Sequence, residues 1–197
     1  MLTPLPEGFA ATRDRLHEVA IQDVSPPRER VTGHIDLQAT PGGFGTRPYG
    51  EDGRTVRVEG AALVREDGSR EPIAGVDEAA ARWLGDFYAL AYDVLHELKL
   101  EWPPDWDVTP PKLWPEHFDY AVEAGTVRAN YGFSPGDEQH LEPYAYVAPW
   151  EARPTGPLWN ATGFAGAELP FAELLAADDQ RTAALAFMRE RAVALHA

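Results

Sequence analysis

One apolar stripe constrains this chain more than any other feature. From Val76 to Leu98, the residues Ala80, Trp83, Leu84, Phe87, Tyr88, Ala91, Val94, Leu95 and Leu98 recur at three- and four-residue spacing, while Arg82, Asp86, Asp93 and Glu97 lie off the stripe. That period specifies a long amphipathic helix, and Asp77 is placed to cap its first turn. A side so rich in aromatic rings needs a partner as broad as a sheet face, so the helix is expected to lie across a sheet.

Composition sets the class. With 197 residues, 44% hydrophobic and 25% charged, the chain suits one compact domain or at most two small ones. Acidic residues number 32 against 17 basic, a formal charge of −15, which opposes nucleic acid and anionic membrane surfaces as partners. The absence of Cys excludes disulfide scaffolds, zinc ribbons, iron–sulfur clusters and thiol catalysis. No segment approaches the roughly 18 consecutive apolar residues of a membrane span, and MLTPLPEGFA has no signal-peptide core, so a soluble, cytoplasmic protein is expected. Charge is uneven: residues 1–70 hold 9 basic and 11 acidic groups, residues 71–197 hold 8 and 21. An anionic ligand is therefore better accommodated in the first third. The skew to 15 Arg over 2 Lys fits a GC-rich coding sequence and carries no functional information.

Four segments are expected within the domain: a helix and strands over 1–75, the long helix over 76–99, a Trp/Pro segment over 100–115, and a hairpin, strands and terminal helix over 116–197. Residues 10–20 read as a short helix that ends by Pro26-Pro27. From Val31 to Ala39 the apolar period changes to two, the pattern of a half-buried strand. TPGGFGTRPYGEDG, residues 40–53, reads as a long loop before a strand at Arg54–Glu66, and Asp67-Gly68 as a hairpin turn returning through Ile73. Residues 100–115 carry five Pro and three Trp, so an ordered, extended segment on the core surface is expected. Two alternating runs then face each other across Ala124-Gly125. Pairing Glu123 with Thr126 gathers His117, Asp119, Arg128 and Asn130 into one polar patch. Strands at Leu141–Ala148 and Leu158–Phe164, a helical piece at Phe171–Ala176 and a helix at Asp179–Leu195 complete the chain. The fold class is α+β, a mostly antiparallel sheet of six or seven strands with the long and C-terminal helices on one face.

Several residue groups carry chemistry, each beside a simpler reading. The Gly-rich loop with Arg47, Arg54 and Arg57 resembles a phosphate cradle, but it lacks GK[ST] and no helix follows, which favours an inter-strand loop. Two His-x-Asp triplets, His34-Ile35-Asp36 and His117-Phe118-Asp119, and a third group of Asp137, His140 and Glu142, supply imidazole and carboxylate for a divalent metal or an oriented base. Alternate polar residues are also what a solvated sheet face looks like. Serine catalysis has no support, since Ser25, Ser69 and Ser134 sit beside Pro or Gly without a nucleophile motif. Trp102, Trp106, Trp114, Tyr144, Tyr146, Trp150 and Trp159 can line a pocket or fill a core.

LWPEHFD (Leu113 to Asp119), ANYGFSPGD (Ala129 to Asp137), EPYAYVAPW (Glu142 to Trp150), TGHIDLQATPGGFGTRPYG and VRVEGAALV resemble a family of mainly actinobacterial proteins without an established reaction. The second half is loosely similar to a wider domain-of-unknown-function family with LWP-x-HFD and GF-x-PGD motifs. The resemblance implies no activity, cofactor or catalytic residue. In relatives the stretch matching Glu71 to Ala80 is longer, which implies a reduced pocket wall here.

Three functional readings follow. The first is a small-ligand binding protein holding its ligand between the sheet's polar face and the Trp/Pro segment, with His34, Asp36, Arg128, Asn130, His140, Trp114, Tyr144 and Tyr146 as candidate contacts. The second is a hydrolytic or metal-assisted enzyme using His117 and Asp119 with His34, Asp36 or His140. The third is a subunit that meets a copy of itself through exposed aromatics.

Overall fold

The computed structural model describes residues 1–197. Its helices are α1 (Phe9–Val19), α2 (Ser25–Thr32), α3 (Glu78–Glu101), α4 (Phe171–Ala176) and α5 (Gln180–Leu195). Its strands are β1 (Leu37–Thr40), β2 (Gly43–Thr46), β3 (Arg57–Glu59), β4 (Ala62–Val64), β5 (Arg70–Pro72), β6 (Lys112–Trp114), β7 (Asp119–Ala124), β8 (Ala129–Ser134), β9 (Tyr144–Pro149) and β10 (Ala167–Pro170). The fold is α+β, with one open antiparallel sheet of ten strands in the order β10-β9-β8-β7-β6-β1-β2-β3-β4-β5. The excess over six or seven comes from β2, inside the stretch expected as a loop, from the division of the strand expected over Arg54–Glu66 into β3 and β4, and from β6 in the Trp/Pro segment. No helix is long and apolar enough to cross a membrane. The chain forms two compact units, residues 2–89 with 112–119 and residues 90–111 with 120–197.

The aromatic stripe forms α3 as its spacing predicts, and its residues up to Ala89 belong to the first unit. The Asp77 carboxylate accepts the Ala80 N–H at 2.9 Å, and the Asp77 N–H donates to the Thr12 hydroxyl of α1 at 3.0 Å, joining the two helix starts. Phe9 meets Trp83 edge-on at 4.9 Å. Tyr88, fully buried, donates its hydroxyl to the Phe118 carbonyl at 2.7 Å, and the Phe118 ring packs 5.3 Å from Phe44 and 5.6 Å from Tyr88.

Several expectations in this unit are corrected. Pro26-Pro27 does not end the first helix: a π-helical turn, Ala20–Val24, leads into α2 with both prolines in its first turn, where missing N–H groups cost nothing. α2 runs to Thr32 and stops at Gly33, which takes φ 74° as a left-handed cap, so the strand begins at Leu37 and not at Val31. His34 and Asp36 accordingly lie on an extended link rather than a strand.

The loop expected over residues 40–53 is instead largely a hairpin, with Leu37 paired to Thr46 and Thr40 to Gly43. Its glycines serve close packing. A Cβ on Gly85 of α3 would stand 2.8 Å from the Gly42 backbone, and one on Gly45 would collide with Arg57 on the neighbouring strand. The strand expected over Arg54–Glu66 is broken at Gly60 into β3 and β4, and the Asp67-Gly68 turn returns into β5. β5 is an edge strand with all three residues exposed, and its Arg70, Glu71 and Pro72 discourage further pairing.

In the second unit β7 and β8 pair with Tyr120 opposite Phe133, Val122 opposite Tyr131 and Ala124 opposite Ala129. The expected register is wrong by four residues. Gly125 donates its N–H to the Trp106 carbonyl at 2.9 Å and Val127 donates to His196 Nε2 at 3.4 Å, so residues 125–128 form a wider turn instead of a tight one. An even slip preserves the two faces but changes every pair. Asn130 therefore faces Glu123, and Arg128 lies in the turn.

The strand expected at Leu158–Phe164 is absent. The Asn160 amide instead donates to the Glu168 carbonyl and accepts its N–H, both at 3.0 Å, imitating a strand neighbour along β10. α4 spans the expected residues, and α5 starts behind Asp179, whose carboxylate accepts the Thr182 N–H at 2.9 Å. Arg181 and Arg189 of α5 pair with Glu97 of α3. The Trp/Pro segment is ordered, with Trp102 4.6 Å from Tyr131 and Trp106 stacked 4.0 Å from His196.

Candidate functional site

In the first unit Leu37 pairs with both Thr46 and Leu113, and both leucines are fully buried. Strand alternation sends their flanking residues to the opposite face: Asp36 and Gln38 beside Leu37, Lys112 and Trp114 beside Leu113, Arg47 after Thr46. Gly33 reverses the chain after α2, so the link to β1 runs back along that helix. Ser25 donates its hydroxyl to the Ile35 carbonyl at 2.9 Å, and Arg28 Nη1 reaches the carbonyls of Asp36 at 2.8 Å and His34 at 3.3 Å.

Asp36 is the centre of this patch. It is 5% exposed, and its carboxylate accepts from Arg28 Nη1 at 3.1 Å and from Arg47 Nε at 3.3 Å. Burial pushes the Asp36 carboxyl up, but the hydrogen bond and charge of Arg28, with the charge of Lys112 and the hydrogen bond from Arg47, hold it below the ordinary carboxylate range. Lys112 lies 5.2 Å from the Trp114 ring, and no carboxylate lies within ion-pair distance of it. One carboxylate thus stands among three cations in a chain of net charge −15.

The other expected site residues divide among separate places. His34 is exposed and contributes its backbone: its carbonyl accepts from Arg28 and its N–H donates to the Thr32 hydroxyl at 3.2 Å. His117 is exposed in the turn between β6 and β7 and joins no hydrogen bond, ion pair or ring contact, so it forms no dyad with Asp119. The polar patch expected from His117, Asp119, Arg128 and Asn130 does not assemble, because the register slip carries Arg128 and Asn130 to the turn end of β8 while Asp119 begins β7. Arg128 binds the carbonyls of Trp106 and Asp107 and pairs with Glu123 at 3.2 Å; Asn130 accepts from Trp150 Nε1 at 2.8 Å.

His140, Tyr144 and Tyr146 do come together in the second unit, with ring separations of 4.1 and 6.0 Å. His140 Nδ1 lies 2.9 Å from the Glu142 carbonyl and Nε2 3.4 Å from the Glu168 carboxylate, which leaves neither ring nitrogen free to act on a substrate. Tyr146 covers Gly132, where a Cβ would fall 2.6 Å from the tyrosine ring. Tyr131 and Val147 share the opposite face, the one Trp102 packs on. Tyr146 and Trp102 therefore lie on opposite faces of the sheet, so these two expected aromatic contacts do not line one hollow. No group of three or more His, Asp or Glu side chains is close enough to hold a metal ion.

Sequence reasoning passed over Arg28 and Lys112. Arg28 was findable from Gly33, a helix stop that turns the chain back, and Lys112 from its place beside the LWP motif. Compared with protein families, curated proteins and solved structures, the chain matches none.

Proposed function

We propose that this protein binds a small anionic ligand, one carrying a carboxylate or phosphate group, on the patch formed by Arg47, Lys112 and Trp114 above Asp36. The carrying observation is the charge imbalance: Arg28, Arg47 and Lys112 all act on the Asp36 carboxylate, and Lys112 has no carboxylate within ion-pair distance. An anion completes that set as a charge-assisted acceptor. Trp114 adds an apolar ring whose neighbour already orients the lysine, so a ligand with a flat apolar portion gains contact there. Arg28, Asp36 and Arg47 of the patch lie in residues 1–70, where 9 basic and 11 acidic groups nearly balance, while Lys112 and Trp114 come from the more acidic remainder of the chain.

Inorganic phosphate is the simplest probe. Its titration is expected to change tryptophan fluorescence saturably in the native protein, with Trp114→Phe removing the signal and Lys112→Ala weakening binding about tenfold, the value of one charge-assisted hydrogen bond. Rising salt weakens the interaction further. Equal phosphate affinity in Lys112→Ala and the native chain refutes the reading.

A further inference from the structure

We infer that the cavity between α2 and the β4–β5 turn is a second binding site, one for the carboxylate of a small, largely apolar acid. The inference does not rest on the patch around Asp36, since the two share no residue. The cavity measures about 330 Å³ and is lined by Pro27, Arg30, Val56, Arg65, Glu66 and Asp67. That volume is at the small end of ligand pockets. Pro27 is half-buried and Val56 is 2% exposed, so the apolar surface open to a ligand is chiefly that of Pro27.

The charged groups around the cavity are satisfied with one exception. Glu66 accepts the Tyr49 hydroxyl on one oxygen and Arg54 Nη1 on the other, at 3.3 Å for the arginine. Arg65 donates to both oxygens of Glu71 at 3.0 and 2.9 Å and lies 4.0 Å from Asp23. Asp67 accepts the Ser69 N–H at 2.9 Å. Arg30 alone has no hydrogen bond and no carboxylate within ion-pair distance. It sits in the last turn of α2, where the carbonyl end of the helix favours a cation.

A ligand carboxylate on Arg30, with its apolar body against Pro27, supplies the missing charge and covers that wall. Glu66 and Asp67 on the rim oppose a second negative charge, so the site discriminates against phosphate dianion. This selectivity separates it from the patch around Asp36.

Benzoate titration followed by ¹H–¹⁵N NMR tests the inference, reading the Arg30 Nε–H and the backbone amides of residues 65–67, with benzamide as the uncharged control and inorganic phosphate as the dianion. Saturable benzoate shifts are expected at these positions, about tenfold weaker for benzamide and in Arg30→Gln, and unchanged in Lys112→Ala. Equal affinity of benzamide, equal binding by Arg30→Gln, or no saturable shift overturns the inference. Benzoate shifts confined to Lys112 and Trp114 also overturn it, assigning the acid to the other site, whereas failure of phosphate to bind at Lys112 leaves it standing.

Discussion

Replacing Asp36 with Asn removes the one carboxylate among Arg28, Arg47 and Lys112 while keeping its shape, and the structure gives opposite signs for stability and for binding. Arg28 is the group left exposed to the loss: its side chain is only 9% accessible, and breaking a buried pair typically costs 3–5 kcal/mol because the surviving charge stays buried. Arg28 keeps its bonds to the carbonyls of His34 and Asp36, so the lower end applies, about 3 kcal/mol. With a urea slope of about 2 kcal/mol/M, the midpoint falls by about 1.5 M. Phosphate binding moves the other way. A unit charge about 8 Å from the anion, at an effective dielectric of about 20, is worth about 2 kcal/mol, and salt roughly halves it, so affinity rises about fivefold.

The same carboxylate sets a pH dependence. Its folded-state pKa is lowered, so its contribution is complete above the unfolded value of about 3.9 and disappears as pH falls through the folded value. The stability gap between the native chain and Asp36→Asn should therefore start to narrow as pH falls below about 4 and close only below the lowered folded-state value. Urea unfolding at pH 7 and pH 3, with phosphate titration of the folded variant, makes the measurement. A variant that loses less than about 1 kcal/mol contradicts the buried pair, and one that is folded but binds phosphate more weakly contradicts the placement of Asp36 as an internal competitor.

Two further outcomes follow from the packing. Tyr131→Phe removes a fully buried hydroxyl that has no hydrogen-bond partner and whose ionisation burial already opposes, so stability should rise by about 1 kcal/mol and Tm by about 2–4 °C; a fall in calorimetric Tm shows that the hydroxyl is bonded after all. Gly85→Ala improves helix propensity by about 1 kcal/mol but drives a methyl against the Gly42 backbone at 2.8 Å, so a net loss of about 1–2 kcal/mol is expected in urea unfolding; a stabilised variant shows that α3 does not seat on this hairpin.

Local signals decided much of the architecture. The aromatic period of α3, the Asp77 cap, the Asp67-Gly68 turn, the extent of α5 and the α4 boundaries all depend on residues within a few positions of one another, and each was legible. The β1–β2 hairpin was not, because its glycines answer to Val58, Arg57 and Gly85, residues distant in the chain that approach its backbone closely. Asn160 misled for a related reason: its side chain, not its backbone, pairs with β10.

The candidate sites followed the same division. Composition alone marked residues 1–70 as nearly balanced in charge, and the alternating residues of β7 and β8 declared their faces, since an even slip leaves parity intact. Which side chains meet was a tertiary matter. Gly33 turning the chain back on α2 brings Arg28 to Asp36, and the pairing of Leu37 with Thr46 and Leu113 places Arg47, Lys112 and Trp114 near the same carboxylate. Periodicity reports burial along one element, whereas charge matching depends on distances between elements, which only the assembled sheet ladder sets.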